Sequence, residues 1–275
     1  MGEYCYEHAY NALGLRGDLP DKNTGDIILT LGDSFTEGIG TPCDSTWPFL
    51  YASFFNHHFK QNYNLINGGI SGSDPVMEWF VLKYLCSQYQ IKQVILAINE
   101  SDLNDICMRG GIERFHKDCV LQFSSAPWWE IFYAGFYIIR LVVHDVFHYN
   151  YFLKKSIEFN NEIKKSEDIL VNIIKEHYVR FAREKGIQLT VVLIPFATDI
   201  QSFRSNIENL HKKLLEIPDI KVISLLPCMY EYYLTNDKQI YSLYWPVDGH
   251  CTPQGYSVIA KCLFDELYAT NATDN

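Results

Sequence analysis

The sequence predicts a three-layer α/β/α fold, with helices on both faces of a mainly parallel sheet of about five strands. Three observations lead there. Short apolar runs recur along the 275 residues and alternate with helical patterns, the arrangement that builds parallel sheets from crossover units. The runs are nearly continuous, as expected of strands buried on both faces. Glycine-rich and polar clusters follow the runs, at the carboxyl ends of strands where such sheets collect ligands.

The elements follow in order. Asp26 to Leu31 (DIILTL) reads as the first strand, running into Gly32-Asp33-Ser34. Ser45 or Thr46 is placed to cap a helix that begins at Trp47-Pro48 and ends near Phe59. Tyr63 to Asn67 is a second strand, followed by Gly68-Gly69-Ile70-Ser71-Gly72-Ser73-Asp74-Pro75 and a helix over about Val76–Gln88. Lys92 to Asn99 is the third strand. From about 103 to 155 the rhythm breaks into an aromatic-rich insertion without a clean strand, containing Trp128, Trp129, Phe132, Tyr133, Phe136, Tyr137, Phe147, Tyr149, Tyr151 and Phe152. A long helix follows on Ile163, Leu170, Ile174, Tyr178 and Phe181, with Gly186 placed to end it. Ile187–Ile194 is the fourth strand, about Gln201–Glu216 a helix, Lys221–Leu225 the fifth strand. Pro253 opens a closing helix to Tyr268. The whole chain, 1–275, reads as one domain carrying the insertion at about 103–155.

Composition narrows the partners. Hydrophobic residues make up 48% and charged residues 20%, enough for a sizeable core; aromatics reach 15%. A formal net charge of −10 argues against nucleic acid and against an anionic membrane surface. The longest apolar stretch, Ile131 to Phe147, contains Arg140, His144 and Asp145 and makes a poor bilayer span. No signal peptide is visible at Met1 to Tyr10, which leaves the compartment open, since a leader could precede this sequence. Eight cysteines are scattered without a CxxC pair, so disulfides and free buried thiols are both compatible with the pattern. Among the histidines, none pairs at convincing metal-ligand spacing, and no metal or cofactor is expected.

The chemistry concentrates at two places. Ser34 follows the first strand directly, where a hydroxyl faces the crevice and backbone N–H groups lie ready for an oxyanion. Alone, this serine could equally be a helix cap, and a hydroxyl nucleophile needs a neighbouring base. His250 lies just before the last helix in Trp245-Pro-Val-Asp248-Gly-His250-Cys-Thr-Pro253, with Asp248 two residues earlier to fix its tautomer. The G-x-S-x-G elbow of the α/β-hydrolases is absent, because Thr36 stands where its second glycine would be.

Gly-Asp-Ser-Phe-Thr at 32–36 resembles the first block of the SGNH, or GDSL-like, hydrolases. Asn67–Gly72 is similar to their second block and Asp248-Gly-His250 with Pro253 and Gly255 to their last. Asn11-Ala-Leu-Gly14-Leu-Arg16-Gly17 resembles a lead-in found in some bacterial members. The resemblance implies a flavodoxin-like sheet and metal-free hydrolysis of an ester or thioester. It implies Ser34 as nucleophile and oxyanion donor through its own N–H, Gly72 as a second N–H donor, His250 as base and Asp248 as the orienting acid. Gly68 and Gly69 are left to the turn. The family's third block, Gly-x-Asn-Asp, is altered: Asn99-Glu100-Ser101-Asp102 occupies it, with Ser101 in the asparagine's place and Asn99 two residues back, on the same face if the backbone is extended. Either side chain could donate to the oxyanion; losing one such donor costs about 10²–10³ in rate. Three functions are compatible with these residues: a serine esterase for a small acyl ester, with carbohydrate O-deacetylation preferred; an acyltransferase to a sugar; and a degenerate module that binds glycan or protein.

Overall fold

The computed structural model describes residues 2–21, 25–115, 130–148 and 156–268. Five strands form one sheet: β1 (Ile27–Gly32), β2 (Asn64–Gly69), β3 (Ile91–Ile98), β4 (Gln188–Leu193) and β5 (Lys221–Ser224). They are all parallel, in the order β2-β1-β3-β4-β5. Every residue of β1 is buried, which is why the run reads as continuously apolar. Its side chains nevertheless divide by the pleat. Ile27, Leu29 and Leu31 enter one core, while Ile28 enters the other.

Between the strands lie twelve helices among the described residues. The first, α1, is the single turn Ser34–Glu37. Then come α2 (Trp47–Phe59), α3 (Pro75–Gln88), α4 (Glu100–Arg109), α5 (Glu130–Gly135), α6 (Tyr137–Leu141), α7 (Ser156–Ile173) and α8 (Arg180–Lys185). The last four are α9 (Ala197–Ser202), α10 (Glu208–Leu215), α11 (Leu226–Thr235) and α12 (Pro253–Tyr268). Helices α3, α4 and α7 cover one face through Val76, Leu82, Leu103, Ile106, Leu170 and Ile173. On the other face, α2 and α12 pack Trp47, Tyr51, Tyr256, Ile259 and Leu263 against Ile28, Ile95 and Val192. The result is the three-layer α/β/α arrangement that the sequence predicts.

Local signals explain most of the boundaries. Asp74 caps α3, accepting from the N–H groups of Val76 and Met77, with Pro75 at the first helical position. Helix α7 runs through a π-helical stretch, Ile174–Val179, into α8, and Gly186 ends it in the left-handed conformation, φ 66°. The helix expected over 201–216 is instead two: α9 stops at Phe203, φ 49°, and α10 restarts at Glu208. The Asp199 carboxylate caps the start of α9, accepting from the Phe196 N–H at 2.9 Å, and the left-handed Phe203 ends it, its N–H turned back to the Ile200 carbonyl at 3.3 Å.

A disulfide joins Cys228 of α11 to Cys262 of α12. Of the insertion expected over 103–155, residues 116–129 and 149–155 lie outside the described residues, and with them Trp128, Trp129, Tyr149, Tyr151 and Phe152. In the described part, Ile131, Phe136, Tyr137 and Ile138 are exposed. Among the described residues, no helix is long and apolar enough to cross a membrane.

The order β2-β1-β3 is what positions a site. From β1 the chain turns to β2 on one side and from β3 it turns to β4 on the other, so the loops at the carboxyl ends of β1 and β3 part and open a crevice. Ser34 follows β1 and Asn99 follows β3, on either side of that crevice.

Candidate active site

Asp33 is the N-cap of α1, with its Oδ1 accepting from the Phe35 N–H at 2.9 Å. This sharp strand-to-helix passage leaves Ser34 in the first helical turn, where backbone N–H groups have no intrahelical acceptor. Ser34 Oγ lies 2.7 Å from His250 Nε2, and His250 Nδ1 lies 2.6 Å from Asp248 Oδ2. An acceptor at Nδ1 puts the proton there and leaves Nε2 as the lone pair facing the hydroxyl. The imidazole packs on the Phe35 ring at 5.0 Å between centroids. The histidine and aspartate side chains are 22% and 31% exposed, so this pair is open on its outer side. The structure therefore brings Ser34, His250 and Asp248 together from the two ends of the chain.

Gly72 sits in the loop after β2 in a left-handed conformation, φ 72°, and its carbonyl accepts from Arg109 Nη1 at 2.5 Å. Gly68 and Gly69, assigned to a turn by the sequence reading, instead lie within β2. Their role is close approach. A Cβ on Gly69 would stand 2.1 Å from the Glu37 N atom, so α1 can lie against β2 only because that side chain is missing. Asn67 completes the contact, its Nδ2 donating to the Thr36 carbonyl at 3.0 Å.

Asn99 and Ser101 meet around Asp33. Asn99 Nδ2 donates to Asp33 Oδ2 at 3.0 Å, and Ser101 Oγ lies 3.0 Å from the same oxygen and in short contact with Asn99 Oδ1. They do not share a strand face as the sequence reading supposed, because β3 ends at Ile98 and Asn99 caps α4, with Ser101 already inside the helix. The hydroxyl of Ser101 has one proton and two acceptors beside it. The Asn99 amide has two protons, of which one is committed to Asp33.

Several residues that the sequence reading passed over hold this site. Glu37, buried at the end of α1, accepts both the backbone N–H and the hydroxyl of Ser71 at 2.6 Å, next to Gly72. Burial alone would raise its pKa, but the bonds from Ser71 and Tyr10 outweigh burial and hold the carboxyl below the ordinary value. Arg16, also buried, donates to the carbonyls of Glu37, Gly38 and Thr41. Its place in Asn11–Gly17 was the available signal; nothing in sequence spacing says which carbonyls it meets. Behind the nucleophile loop, Glu78 and Asp102 are fully buried, and burial pushes both well above the ordinary carboxylate range, reinforced by the charge of Asp33. Among the described residues, no group of three His, Cys, Asp or Glu side chains could hold a metal ion.

Comparison with known proteins identifies the family. The family model GDSL-like Lipase/Acylhydrolase matches residues 28–263. No curated protein matches the chain in sequence. Among solved structures, a two-domain esterase (CEX) active on acetylated mannans is similar, with TM-score 0.54 and 11% identity over 91% of this chain and 51% of that one. The present chain thus spans about half the length of that protein. Axe2, an acetylxylan esterase from Geobacillus stearothermophilus, gives TM-score 0.52 and 11% identity over 90% of this chain and 96% of the other. LAE5, an α/β hydrolase from the metagenome of Lake Arreo, Spain, gives TM-score 0.51 and 14% identity over 91% and 97%. At these identities the likeness speaks for the fold alone, but the family match spans most of the sequence: the chain belongs to the GDSL-like lipase/acylhydrolase family.

Proposed function

We propose that this hydrolase removes a small acyl group from a carbohydrate ester through an acyl-enzyme on Ser34. The observation that carries the reading is the continuous chain Ser34 Oγ–His250 Nε2, His250 Nδ1–Asp248 Oδ2, at 2.7 and 2.6 Å. Ser34 attacks the ester carbonyl as His250 takes its proton. Asp248 holds the imidazole in the tautomer that can accept, and stabilises the imidazolium that forms.

The oxyanion is met by the N–H groups of Ser34 and Gly72, with Asn99 as the side-chain donor in preference to Ser101. The preference follows from proton counting: Asn99 Nδ2 keeps one N–H after its bond to Asp33, whereas the single Ser101 proton already has acceptors. The tetrahedral species collapses, the alcohol leaves with the proton from His250, and water repeats the sequence to free the acid. A sugar ester as substrate is supported by the acetylmannan and acetylxylan esterases that share the fold, and by the aromatic-rich insertion.

Labelling with a fluorophosphonate tests the nucleophile. The folded wild type should be labelled and Ser34→Ala should not. Ser34→Ala and His250→Ala should each abolish turnover of an activated acetate ester with folding intact. An unlabelled, inactive wild type would overturn the esterase reading, and labelling that survives Ser34→Ala would move the nucleophile elsewhere. Acetate release from acetylated xylan or mannan, against none from a long-chain acyl ester, tests the substrate class.

A further inference from the structure

Residues 3–10 run across the site as an extended segment, with Tyr4, Tyr6, His8 and Tyr10 stacked in a row. Successive ring centroids are 5.7, 5.5 and 4.7 Å apart, and Tyr4 continues the row onto Trp245 at 5.4 Å. Alternate residues of an extended backbone share a face, so this i, i+2 spacing of four rings is enough to form the row.

One end of the segment grips the loop of the triad acid. The Glu3 carboxylate spans two consecutive amides, accepting from the Val247 N–H at 2.9 Å through Oε1 and the Asp248 N–H at 2.7 Å through Oε2. Tyr4 lies against Trp245 of the same loop, and burial, with the Asp248 carboxylate beside it, pushes its hydroxyl up to about 12. The base of the loop is closed by its own backbone bonds, Trp245 N–H to the His250 carbonyl at 2.8 Å and Gly249 N–H to the Trp245 carbonyl at 2.9 Å, whereas its tip meets Glu3. Val247 is 87% exposed, and Gly249 turns with φ 82° into open space.

The other end grips the oxyanion side. Tyr10 donates to Glu37 Oε1 at 2.7 Å, while the other oxygen of Glu37 holds Ser71, the residue before Gly72. His8 Nε2 lies 3.0 Å from Glu37 Oε1 without the alignment of a hydrogen bond, so it contributes charge only when protonated. Between the two ends, the Tyr6 hydroxyl accepts from the Gly40 N–H at 3.1 Å, and the Arg16 guanidinium lies 5.2 Å over the Tyr6 ring.

We infer that Glu3–Tyr10 is a strap that positions both halves of the catalytic apparatus: Glu3, and Tyr4 through Trp245, hold the loop of Asp248, and Tyr10 acts through Glu37 on the loop carrying Gly72. These are positioning residues, since each acts through another group. The inference rests on Ser34, His250 and Asp248 working as proposed. It explains why a carboxylate and a row of rings that touch no reacting atom are directed at the acid loop and at the oxyanion loop.

Steady-state kinetics on an activated acetate ester tests it, using the full chain carrying Glu3→Ala, Glu3→Gln, Tyr4→Phe or Tyr10→Phe. Glu3→Ala should lower kcat by about 10- to 100-fold with KM nearly unchanged, the scale of loss that a small misplacement of a catalytic group produces. Glu3→Gln keeps an acceptor for the amides and should recover part of that loss. Tyr4→Phe and Tyr10→Phe keep the stacked row and should each lower kcat without a matching fall in Tm. Glu3→Ala and Tyr10→Phe should multiply when combined, because they act at opposite ends of the site. If wild type labels with fluorophosphonate and turns over, but all four variants keep its kcat within about twofold, the strap is overturned and the triad stands. A wild type that neither labels nor turns over overturns both. A kcat loss that follows Tm across the four variants reduces the segment to a structural one and also overturns the inference.

Discussion

The side-chain amide of Asn99 donates to Asp33 Oδ2 at 3.0 Å and so ties the end of β3 to the end of β1 across the crevice that holds Ser34. Asp33 caps the nucleophile's own turn with its other oxygen. One carboxylate therefore sets the turn that carries Ser34 and orients the amide that we assign to the oxyanion. In this chain the third block keeps an asparagine at that level of the sheet, two residues earlier in sequence than the family spacing.

Substitution separates Asn99 from Ser101. Asn99→Ala should lower kcat on an activated acetate ester by about 10²-fold or more, the cost of one oxyanion donor. Ser101→Ala should cost less than about tenfold, because the proton it removes is directed at Asp33 and Asn99. The opposite ranking of kcat values would move the donor role to Ser101.

Gly69→Ala should be among the most damaging single-methyl changes in the protein. The added Cβ meets backbone, the Glu37 N atom at 2.1 Å, and backbone cannot rotate away. A loss of about 3 kcal/mol or more is expected, at the upper end of overpacking. Gly186→Ala meets nothing within 4 Å and strains only its left-handed φ of 66°, for a cost of about 1–2 kcal/mol. Urea unfolding of the two variants checks the order.

Stability should respond to pH through Glu78. Burial raises its folded pKa well above the ordinary value of 4.5, so the folded state holds a proton that the unfolded state has released. That contribution is complete below 4.5 and is lost as pH rises from there through the raised folded value, by about 1.4 kcal/mol per pH unit inside the window. Glu78→Gln cannot titrate, and its amide oxygen can still accept from Ser73, as Oε1 now does at 2.7 Å. The variant should match wild type near pH 4.5 and exceed it increasingly as pH rises from there through the raised folded value, read as ΔTm across a pH series. A constant difference would show that Glu78 is not the titrating group.

The Cys228–Cys262 bridge closes a separation of 34 residues between α11 and α12. On loop entropy alone a closure of that length is worth about 3–4 kcal/mol. Reduction, or the double change to serine, should lower Tm by several degrees. An unchanged Tm under reductant would mean that the bridge adds nothing to folding.

How far the residues spoke for themselves depended on range. The central strands were legible because they are buried on both faces and carry their signal within six or eight consecutive residues, as in IILTLG and IKQVILAI. Ser34 and His250 could be named as candidates because short local blocks surround them, although 216 residues separate the two. The break between α9 and α10 was not legible, since it falls at Phe203 in a left-handed conformation and not at a glycine or proline.

The sequence by itself determined the strand–helix alternation, and through the pleat it determined which residues face which core. It also placed a serine and a histidine at strand ends where chemistry could occur. Only the tertiary structure decided that Gly69 serves the contact of α1 with β2, that Asn99 and Ser101 converge on Asp33, and that Glu3 reaches the acid loop. Periodicity and caps act within a turn or a strand and are written in neighbouring residues. Hydrogen bonds between segments 30 to 245 residues apart, such as Ser71 to Glu37 or Asp248 to Glu3, depend on sheet order and on how closely backbones approach, and no local pattern encodes either.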